Sequence, residues 1–137
     1  MRIISGDKKG LSINPPKYFK DRPTTDLAKE SLFNILVNRI YFDEVSVLDL
    51  FSGTGSISYE FVSRGCNNLT AIDINQKYVT FINETFRTVF KDVKGIHAIK
   101  NDVLKYIIKN NLDYDIIFAD PPYELPELQQ IPDLILN

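Results

Sequence analysis

Two short stretches of the 137-residue chain hold residues whose types and spacing could do chemistry. The first is Asp49-Leu50-Phe51-Ser52-Gly53-Thr54-Gly55-Ser56, which ends an apolar run and opens a helical pattern. Glycines there let backbone N–H groups approach a ligand closely, and a helix N-terminus favours negative charge. A dinucleotide fingerprint needs a glycine at position 58, where the chain has Ser58, and does not usually carry an acid four residues before its first glycine. Asp49 suits a ligand with a cationic amine beside a carboxylate, as in the methionine part of S-adenosylmethionine. Asp73, 18 residues after Gly55, closes the next apolar run, with Ile74 beside it. A carboxylate there can accept both hydroxyls of a ribose. Asp102 follows the third run, placed for an adenine amino group with the Val103 N–H alongside. Any one of these acids could simply cap a helix or a turn. Three of them at successive strand ends around a glycine turn point to a ligand, because open α/β sheets bind ligands at the carboxyl ends of their strands.

The second stretch is Asp120-Pro121-Pro122-Tyr123. An exocyclic base amine is a poor nucleophile, since its lone pair is delocalised into the ring. The Asp120 carboxylate and the Pro121 carbonyl could accept its two N–H bonds, orient the nitrogen and stabilise the cation that forms on methylation. The two prolines fix φ and remove competing donors. Tyr123 could stack on an extruded base. The bland alternative is a rigid turn with a surface tyrosine; the glycine turn makes the chemical reading the better one.

The elements that must position these stretches are legible in the apolar spacing. Arg2–Ser5 and Leu11–Asn14 flank Gly6–Gly10 as a hairpin with a basic tip, which Pro15-Pro16 ends. Leu27–Ile40 has Ala28, Leu32, Ile35, Leu36 and Ile40 at helical spacing, and Thr24, Thr25 or Asp26 can cap its start. Strands are expected at Val45–Phe51, Leu69–Ile74, Ile96–Ile99 and Tyr114–Ala119. Helices are expected at Gly55–Arg64 (Ile57, Phe61 and Val62 on one side), Gln76–Phe90 and Val103–Lys109. Strands alternating with helices predict an α/β fold, a mostly parallel sheet covered on both faces. The expected organisation is a basic hairpin arm over 1–22 and a catalytic domain over 23–137. Leu125–Leu136 is apolar enough to pack, yet a sheet whose last strand starts at Tyr114 would leave a long apolar edge. Further strands are therefore expected, making 23–137 incomplete at its C-terminal side.

Composition bounds the class. Hydrophobic residues make up 44% and charged residues 25%, which excludes a disordered or collagen-like chain. No apolar stretch approaches the roughly 18 residues of a membrane span, and the opening residues hold no signal-peptide block, so a cytoplasmic protein without membrane partners is expected. The single cysteine, Cys66, excludes an internal disulfide and a multi-cysteine zinc site, and no metal is expected. Cys66 and the single histidine, His97, read as structural. Residues 1–22 hold six basic residues against two acids, whereas 111–137 hold six acids and no Lys or Arg. A basic N-terminal arm fits phosphate binding, although a solvated face without a partner has the same composition.

These residues resemble the S-adenosylmethionine-dependent amino-methyltransferases of nucleic acids, and more closely the bacterial RsmD-like family, which methylates the N2 amine of a guanine in 16S ribosomal RNA. The likeness rests on Arg2–Gly6 with Lys9-Gly10, Arg22-Pro23-Thr24-Thr25-Asp26, Leu32-Phe33-Asn34, Leu48–Gly55, Ser63-Arg64-Gly65 and Asp120–Tyr123. The Asp-Pro-Pro-Tyr loop is shared with adenine and cytosine methyltransferases; the Arg-Pro-Thr segment before Leu-Phe-Asn discriminates better. The resemblance implies a Rossmann-like class I fold of seven strands, of which four are present. It also implies that Arg22, Thr24 and Thr25 close over the cofactor, and that the hairpin carrying Arg2, Lys8 and Lys9 touches RNA. The partner it implies is 16S ribosomal RNA within the small ribosomal subunit or its assembly intermediate. Two rival expectations stay open: an adenine-N6 methyltransferase acting on DNA or RNA, and a non-catalytic cofactor- or RNA-binding remnant.

Overall fold

A computed structural model describes residues 1–20, 24–122, 125 and 128–136. Arg22 and Tyr123, both expected at the site, lie outside the described residues, as does the boundary placed between residues 22 and 23. Four parallel strands, β1 (Val47–Leu50), β2 (Leu69–Asp73), β3 (Ile96–Lys100) and β4 (Ile116–Ala119), lie in the order β3-β2-β1-β4. The helices are α1 (Asp26–Leu36), α2 (Ser56–Ser63), α3 (Gln76–Val89), α4 (Val103–Lys109) and α5 (Ile131–Leu136). Alternate strand residues face opposite sides, and each side has its own core. Val47, Leu69, Ala71 and Ala98 pack with α2 and α3, while Leu48, Leu50 and Ile72 pack with Val103 and Ile107 of α4 and Leu134 and Ile135 of α5. Burial on both faces is why the strands read as apolar runs instead of alternating ones.

The register decides what meets at the upper rim of the sheet. Leu50 pairs with Ala119 and Leu50 also pairs with Ile72, so the chain leaves β1, β2 and β4 at the same level. At the opposite end Asp115 accepts hydrogen bonds from the Ser46 amide (2.8 Å) and hydroxyl (3.2 Å), fixing where β4 starts beside β1. The outer edge of β3 is bracketed by the Asn83 amide, which donates to the Ala98 carbonyl (3.0 Å) and accepts from its N–H (2.9 Å).

Two helices differ from their expected patterns. The first stops at Leu36, short of Ile40, and Ile35 is 57% exposed; its buried residues are Phe33 and, at 1% exposure, Lys29. Phe33 packs edge-on against Phe61, 4.7 Å between centroids, and carries the Arg64 guanidinium over its ring. The second, expected to bury one side, is buried at all eight positions. Its outward side is covered by the N-terminal hairpin, whose strands meet at an antiparallel bridge between Arg2 and Ser12 and bury Ile3 and Ile13. Glu60 and Ser63 of α2 are buried because each has a partner there. Glu60 accepts from the Ile4 and Ser5 amides and from Arg64 Nε. Ser63 Oγ donates to the Ser5 carbonyl and accepts from the Lys8 amide. Gly6 fits only because it lacks a side chain: a Cβ there would lie 2.0 Å from the Ser63 carbonyl oxygen, at φ +89°.

Candidate active site

After β1 the chain turns through Phe51 and Gly53, both at positive φ, and enters α2 through Gly55 at φ +95°. Gly55 is doubly required, since a Cβ would sit 2.7 Å from the Tyr59 ring. The turn is held by its neighbours: Ser52 N–H donates to the Ile72 carbonyl (3.0 Å) and Gly53 N–H to Asp73 Oδ2 (2.8 Å). Asp73 also accepts from the Asn75 amide (2.9 Å), and its own carbonyl accepts from Asn101 N–H (3.0 Å). The ends of β1, β2 and β3 are thus tied together through one carboxylate residue.

Asp49 lies beneath the turn, 1% exposed, on the strand face that looks toward α2. Its Oδ2 accepts a 2.6 Å hydrogen bond from Ser58 Oγ, giving a use to the serine that stands where a dinucleotide fingerprint would have glycine. Burial, and then the charges of Asp73 and Asp120, push its carboxyl up to about 7 against the opposing Ser58 hydrogen bond. Ser52 Oγ is buried without a hydrogen-bond partner among the described residues, and a buried unpaired hydroxyl is costly unless something else completes it.

Asp120 belongs to the same cleft. Thr24, Asp49, Ser52, Gly53, Phe118 and Asp120 line one concavity between the end of β1 and the end of β4, with Phe51 and Thr54 also on its wall. Pro121 and Pro122 follow Asp120 at the rim, half-buried and exposed respectively. Ser56, Ile57 and Phe118 complete the lining and were not among the expected residues. Phe118 was findable: two residues before Asp120 on a strand, it must face the same side.

The remaining expected residues are placed as follows. Thr25 caps α1, accepting from Ala28 N–H (3.2 Å), and Asp102 caps α4, accepting from Lys105 N–H (3.2 Å), so both do the ordinary capping work that their types allow. Val103 is buried under the sheet, and Ile74 is 62% exposed beside Asp73. Arg2 is exposed, and its carbonyl accepts from Lys29 Nζ (2.7 Å), which also donates to Ser56 Oγ (3.2 Å) at the start of α2. Lys8 and Lys9 are not brought to the cleft. Asp7 N–H donates to the Ser63 carbonyl, so the hairpin tip sits at the far end of α2, about 12 Å from the glycine turn for eight residues at 1.5 Å each. Cys66 is buried, and His97 on β3 has its Nε2 3.4 Å from Thr70 Oγ1 on β2.

The family model described as Conserved hypothetical protein 95 matches residues 1–137. The chain belongs to that family. Among its relatives, the Bacillus subtilis protein YlbH is 36% identical over 138 residues, covering 98% of this chain and 73% of that protein. The ribosomal RNA small subunit methyltransferase D of Buchnera aphidicola subsp. Baizongia pistaciae is 33% identical over 137 residues, covering 100% and 68%. The solved structure of the Escherichia coli protein yhhF superposes with a TM-score of 0.86 at 25% identity, covering 100% of this chain and 72% of that one. Membership of the Conserved hypothetical protein 95 family bears out the RsmD-like resemblance and the class I methyltransferase fold. Among the described residues no helix is long and apolar enough to cross a membrane.

Proposed function

We propose that this chain is an S-adenosylmethionine-dependent RNA methyltransferase that modifies the exocyclic N2 amine of a guanine in 16S ribosomal RNA, within the small subunit or its assembly intermediate. One observation carries the reading: Asp120 lines a single cleft with Asp49 and the Phe51–Thr54 turn, because Leu50 and Ala119 are register partners. The residues present fit the cofactor. The buried, unpartnered Ser52 hydroxyl offers a hydrogen bond, the start of α2 favours a carboxylate, and Asp49 in its ionised form answers an ammonium. Asp73 and the exposed Ile74 would take the ribose and one face of the adenine, with Asp102 and Val103 nearest the adenine edge. Thr24 would cover the turn, with Thr25 and Arg22 beside it in sequence. When bound, S-adenosylmethionine supplies a methyl group on a positively charged sulfur.

The protein's own part is positioning. Asp120 and the Pro121 carbonyl accept the two N–H bonds of the base amine, and the proline ring geometry keeps those acceptors in place. Asp120 then stabilises positive charge on the nitrogen as the new bond forms and can take the proton that the product amine releases. Tyr123, next in the chain, would stack on the base. Arg2, Lys8 and Lys9 would hold RNA phosphates along the hairpin. The experiment is transfer of labelled methyl to small subunits isolated from cells lacking this gene, followed by nucleoside digestion. N2-methylguanosine is expected. N6-methyladenosine would move the assignment to the adenine class, and cofactor binding without transfer to subunits, RNA or DNA would leave a non-catalytic binder.

A further inference from the structure

The cleft is flanked by a second constellation that the catalytic reading does not use. Phe19 N–H donates to the Pro16 carbonyl (3.0 Å), closing a turn with Lys17 and Tyr18 at its corners. Phe19 is the anchor: it is half-buried and packs edge-on against Tyr78 (5.2 Å) and Phe81 (6.0 Å) of α3. Tyr18 contributes little to that packing, being 72% exposed, yet its ring is held 5.2 Å from Phe19 and under the Lys77 ammonium, 5.9 Å from its centroid. Tyr18, Phe19, Lys20, Asn75, Lys77 and Tyr78 line one shallow depression, with no carboxylate among its described lining residues. Asn75 caps α3 and its amide binds Asp73, so the depression opens on the same rim as the glycine turn.

We infer that the Pro16–Phe19 turn and the first turn of α3 form a stacking platform for an unpaired base of the RNA substrate, with Lys17, Lys20 and Lys77 beside its phosphates. The inference rests on the RNA-methyltransferase reading and extends it to how substrate is held. An exposed aromatic ring ringed by cations is the recurring means of holding a single strand, because every base has a face to stack and every nucleotide a phosphate to pair. The lysines argue against the cofactor as occupant. S-adenosylmethionine has no phosphate and carries a net positive charge, which the Lys20 and Lys77 ammonium groups would repel. Position argues for RNA as well: the hairpin lysines lie at the far end of α2, so a strand that delivers a base to Asp120 needs a contact on the upper rim, and this depression supplies one.

The test measures, on the full chain, anisotropy of a fluorescein-labelled single-stranded oligoribonucleotide of about 12 nucleotides and of the matching RNA duplex. Calorimetric titration with S-adenosylmethionine and methyl transfer to small subunits run in parallel. Tyr18→Ala is expected to weaken single-strand binding roughly tenfold, as for loss of one stacked base. Tyr18→Phe should stay within about twofold of wild type, since the ring is kept. Duplex binding and cofactor affinity should not move. Unchanged single-strand affinity in Tyr18→Ala would overturn the platform. So would a parallel loss of cofactor affinity, which would give the ring to the adenosyl group, or an equal loss on duplex, which would leave only general charge. If wild type transfers no methyl to subunits while Tyr18→Ala still loses single-strand binding, the platform stands and the methyltransferase assignment fails.

Discussion

Asp49 is a carboxyl group under opposed influences: burial and the charges of Asp73 and Asp120 disfavour its ionisation, while a 2.6 Å bond from Ser58 favours it. With the folded group near 7 and the unfolded value at 3.8, the native state keeps a proton that the unfolded chain has lost between those limits. Stability from this group is therefore full below about pH 4 and declines as pH rises toward about 7. Asp49→Asn should remove that slope from urea unfolding measured across the window. A ligand ammonium beside Asp49 would draw the carboxyl back to its ionised form, so cofactor binding at pH 6 should release a proton; calorimetry in buffers of different ionisation enthalpy reads it directly. Asp120 makes the complementary case. Asp120→Ala should cut methyl transfer by at least about a hundredfold while leaving cofactor affinity near wild type, the signature of a contact made to the reacting amine.

Among the elements, α2 shows where local pattern ends and tertiary context begins. Ile57, Phe61 and Val62 are buried as their spacing expects, but nothing in the spacing tells that Ser56, Glu60 and Ser63 are also buried. Their partners, Lys29, Ile4, Ser5 and Lys8, lie 27 to 58 residues away. Glu60 ties three elements together: it accepts from two hairpin amides and Arg64, and Lys29 Nζ stands 3.7 Å from its Oε1. Removing this carboxylate by Glu60→Ala leaves buried donors unpaired and should cost about 3–5 kcal/mol in urea unfolding, as for breaking a buried ion pair from one side. Lys29→Met should cost less, because burial already disfavours the ammonium and Glu60 keeps Arg64 and both amides. The same logic explains why α1 hides a lysine while leaving Ile35 in water: the space it faces is lined by the Arg2 carbonyl, Ser56 and Glu60.

Across the whole molecule two groups of lysines stand apart. The hairpin tip, with Lys8 and Lys9, is pinned at the C-terminal end of α2, and Lys20 and Lys77 line the depression on the rim of the glycine turn. If both touch one RNA, Lys8→Ala/Lys9→Ala should weaken binding of structured ribosomal RNA and reduce the slope of log affinity against log salt by roughly 1.5–2, without altering cofactor affinity. Its effect should add to that of Tyr18→Ala, because the two places share no contacts. Much of this was legible beforehand. Strands, helices, the glycine turn and the Asp-Pro-Pro loop follow from periodicity and turn chemistry, which are relations between residues a few positions apart, and the chain alone determined them. What only the tertiary structure decided is adjacency. Local spacing cannot say that β4 lies beside β1, that Asp120 therefore faces Gly53, that the hairpin roofs α2, or that Phe19 seats Tyr18 on α3. Those outcomes depend on which buried faces and polar groups satisfy one another across tens of residues, and that is settled only when the chain packs.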